Sequence, residues 1–177
     1  MANSAPVLSG LDASTIFLES TVNTAPQLID TTVSLADADG NFAGSMLTVA
    51  GLLAEDIVSV RNQGVDAGQI GFSNGAITFE GHIIGAAVGG VGGTLTIVFN
   101  RHATTVTVEA VIENLTYANS SDAPAPSRTL TLSQRKTGTF PSAAPLRRSG
   151  GRWRRSWPQL RHEIRIRSRR PASCAFA

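Results

Sequence analysis

Apolar and polar residues alternate along most of the first 134 positions. Val33 and Leu35 alternate in TTVSLA, Leu47 and Val49 in SMLTVAG, and Val58 and Val60 in DIVSVRN. The pattern continues with Ile77 and Phe79 in AITFEG, Leu95, Ile97 and Phe99 in TLTIVFN, Val106 and Val108 in TTVTVEA, and Leu130 and Leu132 in RTLTLSQ. A period of two with one apolar face is the signature of a half-buried strand. STIFLES and QLID read as shorter strands. The gaps DADGN, NQGVDAGQ, SNGA and GGVGG carry the Gly, Asn and Asp of turns. Strands closely spaced by such turns predict an all-β fold, an antiparallel β-sandwich. In VEAVIENLTY the period changes. Val108, Val111, Ile112 and Leu115 fall on one helical face, which predicts one short crossover helix with its stripe against a sheet. Tyr117 then opens a loop stiffened by Pro124 and Pro126.

Charge divides the chain where the strand pattern ends. Residues 1–134 carry twelve carboxylates against Arg61, Arg101 and Arg128, a balance of −9. Residues 135–177 carry twelve basic residues against Glu163, a balance of +11. The formal net charge of +2 therefore describes neither part. With 177 residues the chain has room for one well-filled core, which the pattern places at 5–134. The Arg-, Pro- and Ser-rich segment 135–177, with Trp153, Trp157 and the lone Cys174, has the composition of a disordered basic tail. Its HEIRIRSRR stretch alternates Ile164 and Ile166 with arginine, a strand pattern with no obvious surface to pack on. One cysteine makes no internal disulfide, so the core alone must hold the fold. No run approaches the ~20 apolar residues of a membrane span, and MANSAPVLSG lacks the charged and apolar regions of a signal peptide.

Several stretches imitate reactive motifs. GFSNG fits the G-x-S-x-G nucleophile elbow, but the elbow needs a helix after its serine and AITFEG is strand-like. A triad in that order would also need Asp122 and His162. Asn74 and Gly75 instead form a hairpin pair tolerant of positive φ. GGVGGTLTI resembles a single calcium-binding β-helix nonapeptide, with Thr94 where aspartate belongs and no second copy. His82 and His102 lack a third ligand at a metal-site spacing, and NLT at Asn114 and NSS at Asn119 match the glycosylation sequon. In LADADGNFAGSML, Asp37, Asp39 and Asn41 alternate. An EF-hand counted from Asp37 would need Gly where Phe42 stands and Glu where Thr48 stands, so that loop is excluded. Taken alone, the stretch is an Asx-type turn whose side chains bond their own backbone.

The order of motifs adds to this reading. A Glu-containing N-terminal strand, DADGNFAGSMLTV, an IG followed by a Gly-rich turn and LTIVFN, AVIENLTYAN, and SRTLTL follow one another over about three quarters of the chain. Together they resemble the cadherin-like repeat domains of large bacterial surface and secreted adhesin-type proteins, the group that includes hemolysin-type calcium-binding proteins. The resemblance implies a β-sandwich module in tandem array with calcium near the junctions. It assigns Glu19, Asp37, Asp39, Asn41 and Asp122 as candidate ligands. After TLTLS the chain departs from that pattern. Out-of-frame GC-rich DNA encodes the Arg, Pro, Ala, Ser, Gly and Trp found there, which points to a shifted reading frame past about residue 134.

These observations converge on a non-enzymatic structural or adhesive module. It would work outside the cell or at its surface, with neighbouring repeats or a cell-surface ligand as partners and calcium as a weakly held ion. The rival reading puts nucleic acid or an anionic surface on the basic tail through phosphate contacts.

Overall fold

In the computed structural model, residues 5–136, 146–149, 152–155 and 159–169 are described. The described residues are mostly strand, arranged in several sheets with two short helices. The largest sheet has eight strands. In chain order they are β2 (Ser14–Leu18), β5 (Met46–Ala50), β7 (Ile70–Ser73), β8 (Ala76–Phe79), β9 (His82–Val88), β10 (Leu95–Phe99), β12 (Ser127–Arg135) and β15 (Gln159–Arg169). In space they run β2-β15-β12-β5-β10-β9-β8-β7. A three-stranded sheet places β11 (Leu115–Asn119) between β3 (Gln27–Leu28) and β6 (Asp56–Val60). Two small pairs complete the set: β1 (Val7–Ser9) with β4 (Ser34–Ala36), and β13 (Leu146–Ser149) with β14 (Arg152–Arg155).

The alternation read from the sequence becomes one apolar cluster. Leu47 and Val49 of β5, Ile97 and Phe99 of β10, and Leu130 and Leu132 of β12 are buried in the same core as Val58 and Val60 of β6 and Tyr117 of β11. Helix α2 (Thr105–Glu113) adds Val108, Val111 and Ile112. The crossover helix is therefore present, but it starts before the apolar stripe does. Thr104 accepts from the Thr107 amide while the Thr107 hydroxyl accepts from the Thr104 amide, a reciprocal cap that satisfies two otherwise orphaned donors. This cap turns TTVTVEA, whose alternation predicts a strand, into the first turns of the helix. A second helix, α1 (Glu19–Thr24), follows β2 directly and buries Val22.

The tail holds the main correction. Residues 162–169 of the HEIRIRSRR stretch lie within β15, where they have a great deal to pack on. β15 fills the slot between β12 and β2, antiparallel to the first and parallel to the second. Ile164 and Ile166 enter the core at 2% and 0% exposure. The segment expected to be disordered thus contributes a strand over 159–169. The rest of that expectation, at 137–145, 150–151, 156–158 and 170–177, lies outside the described residues, Trp157 and Cys174 included.

Candidate functional site: carboxylate pairs at both ends of one strand

The inward positions of β12 and the residue after it are Arg128, Leu130, Leu132, Gln134 and Lys136, all buried. A strand that points every second residue inward must bury whatever stands there. The two cations lie roughly 27 Å apart along the strand, and each meets a pair of carboxylates.

At the first end, the Arg128 Nη1 lies 2.8 Å from Asp56 Oδ1, and Nη2 lies 3.4 Å from Glu55 Oε1. Nη2 also donates to the Ala125 carbonyl at 2.7 Å. The Tyr117 hydroxyl donates to Asp56 Oδ1 at 2.7 Å and accepts from Arg128 Nη1 and the Asn119 amide. The guanidinium lies over the Tyr117 ring, which stacks on Phe17. Burial pushes the Asp56 carboxyl above its ordinary value, against the Leu53 amide, Arg128 and Asn119, which favour its charge. This network ties β12 to β6 and β11, so strands of two sheets share one set of hydrogen bonds.

At the second end stands the DADGN loop. Lys136 Nζ donates to Asp37 Oδ1 at 2.8 Å and to Asp39 Oδ1, with the lysine side chain fully buried. The ammonium lies 5.0 Å from the centroid of the buried Phe42 ring. The loop is also a run of Asx turns. The amides of Asp39 and Gly40 donate to Asp37 Oδ1, the Asn41 amide to Asp39 Oδ1, and the Ala43 amide to Asn41 Oδ1. Asp37 Oδ2 is buried without a hydrogen bond among the described residues.

The five residues assigned by resemblance are not brought together. Asp37, Asp39 and Asn41 share the Lys136 end. Asp122 lies exposed in the loop before β12, at the Arg128 end. Glu19 opens α1, and α1 meets that same loop where the Asn23 amide donates to the Ser121 carbonyl at 2.9 Å. Calcium takes six to eight oxygens. At the DADGN loop the Oδ1 atoms of Asp37, Asp39 and Asn41 accept backbone amides, and the first two of them also face an ammonium. No group of three or more His, Cys, Asp or Glu suited to a metal occurs among the described residues. As folded, the Lys136 ammonium holds the cation position of the loop.

The other motifs resolve into structure. Asn74 and Gly75, at φ 49° and 79°, make the turn of the β7–β8 hairpin, so no helix follows Ser73. Ser73 on β7 and His162 on β15 stand six strands apart in the sheet order, and no helix follows Ser73 to make an elbow of it. His82 and His102 line one open groove of about 590 Å³ with Asn100 and Arg101. Both sequon asparagines are buried and bonded, Asn114 to Arg61 and the Ala110 carbonyl, Asn119 to Asp56. Sequence reasoning missed Lys136 and Arg128 as site residues, although their inward parity on β12 was a readable signal.

No family model matches the chain, and no curated protein or solved structure matches it. Among the described residues, no helix is long and apolar enough to cross a membrane.

Proposed function

We propose that the chain is a non-enzymatic structural or adhesive module, a cadherin-like β-sandwich of a bacterial surface or secreted protein. The observation that carries this reading is the use of the acidic motifs. Glu55, Asp56, Asp37 and Asp39 all engage cations of the same chain, so these groups hold strands in place rather than confront a substrate. The eight-stranded and three-stranded sheets feeding a single core support the sandwich form. In this reading the DADGN loop keeps the turn role, and Lys136 supplies the positive charge that calcium supplies in the resembling domains. Neighbouring repeats or a cell-surface ligand are the partners. The test is retention of beads coated with the full chain on bacterial and host-cell surfaces under flow. Retention above that of albumin-coated beads supports the adhesive role, and retention equal to theirs on every surface overturns it.

A further inference from the structure

The outward face of the large sheet differs in charge from the rest of the folded domain. Alternation places Ser14, Ile16 and Leu18 of β2 outward, then Arg161, Glu163, Arg165 and Arg167 of β15, and Ser127, Thr129, Thr131, Ser133 and Arg135 of β12. Met46, Thr48 and Ala50 of β5 continue the same face beyond β12. Glu163 is the one carboxylate at these positions, in a molecule whose first 134 residues hold twelve. Arg161, Arg165 and Arg167 are exposed and pair with no carboxylate among the described residues. Arg165 and Arg167 stand about 7 Å apart on a rigid strand. The hydroxyl of Thr129 lies across from Arg165, and that of Ser127 across from Arg167. On the other side, Ser14 pairs with Arg165. Ala13, Ser14, Thr129, Glu163, Arg165 and Arg167 line a shallow groove of about 490 Å³.

We propose that this face binds an extended acidic polysaccharide, with Arg165 and Arg167 on its sulfate or carboxylate groups and the serine and threonine row on its hydroxyls. Guanidinium forks match oxyanions two at a time. A row of short hydroxyl side chains leaves the flat surface on which a sugar chain can lie. The same face argues against single-stranded nucleic acid. Such binders stack bases on aromatic rings, and the outward positions just named include no aromatic residue. The site joins residues of β2 and β12 to residues of β15, so it exists only while β15 occupies its slot. It does not depend on the adhesive reading.

The test measures binding of the full chain to a heparin fragment, to neutral dextran and to a single-stranded DNA oligomer at several salt concentrations. Heparin should bind, weakening steeply as salt rises, and dextran should not. The double variant Arg165→Gln and Arg167→Gln should bind heparin about tenfold more weakly, with a salt slope lower by about two charges. Its melting temperature should match wild type, because both side chains point to solvent. Arg101→Gln, away from the face, should leave heparin binding within twofold. DNA binding as tight as heparin binding overturns the choice of polysaccharide. Unchanged heparin binding in the double variant, or none in wild type, overturns the site.

Discussion

Lys136 Nζ lies 2.8 Å from Asp37 Oδ1, and neither side chain is exposed to water. The lysine comes from a segment of +11 and the aspartate from one of −9, so the contact joins the two halves of a divided charge distribution. Paired burial of this kind holds register and adds little net stability, whereas removing one partner strands the other.

Lys136→Met should therefore destabilise the fold by about 3 kcal/mol, read from urea or thermal unfolding. Adding Asp37→Asn and Asp39→Asn to it should recover part of the loss, because the stranded charges go with the lysine. A triple variant less stable than Lys136→Met would count against the pairing as the cause.

The same contact sets the response to calcium. Wild-type melting should be the same in calcium, magnesium and chelator. In Lys136→Met the two carboxylates lose their ammonium, and ~10 mM calcium at a dissociation constant of ~1 mM would return about 1.4 kcal/mol. Equal calcium shifts in both proteins would show that the lysine does not control the loop.

Acidity should act in opposite directions at different carboxyls. Burial, then the charges of Glu109 and Asp30, raise the Glu113 carboxyl above its ordinary 4.5, and burial raises Asp56 above 3.8. Groups raised on folding stabilise fully below their unfolded values, and that contribution is lost as pH climbs through the folded ones. For Asp30, burial pushes upward but is outweighed by hydrogen bonds from the Asp12 and Thr32 amides, the Thr32 hydroxyl and the Thr31 amide, so its carboxyl is lowered. Its contribution is present above 3.8 and lost as pH falls through the folded value. Glu113→Gln should be more stable than wild type at pH 7, with the gap closing as pH falls toward 4. A gap constant across that range in calorimetric melts would rule out charge as its origin.

Core and surface positions of β15 should separate cleanly. Ile166→Ala, at a site of 0% exposure, should cost about 2–4 kcal/mol. Arg165→Gln, one residue away on the outer face, should stay within about 0.5 kcal/mol. Limited proteolysis of the wild-type chain should spare 159–169. Cleavage there as fast as in an unfolded peptide would mean that the strand is not docked.

Strands whose inward residues were Val, Leu, Ile and Phe were legible because burial and periodicity agree in them. β15 was not. Its two isoleucines and four arginines describe an amphipathic strand, but the strands it packs between, β12 and β2, come from elsewhere in the sequence. The start of α2 was hidden because its reciprocal cap uses Thr107 where Glu or Gln is the usual signature. α1 spans six residues, ESTVNT, too few to show an apolar stripe. At the candidate site, Asp37, Asp39 and Asn41 were readable as a turn from neighbours alone. Their cation lies 99 positions from Asp37, and spacing carries no information at that range. Arg128 entered the reading as one of three scattered positive charges. Its inward parity with Leu130 and Leu132 marks it as a buried partner in search of carboxylates.

The position of β15 also fixes an order of events during synthesis. Ser14 pairs with Arg165, so β2 cannot take its place in the sheet until β15, much later in the chain, has left the ribosome. Until then β12 and β2 each present an open edge, and open edges recruit other chains. Pairing over so long a stretch of sequence is also slow. The large sheet therefore stays incomplete until β15 emerges, and crowded nascent chains are the setting in which mispairing would first appear.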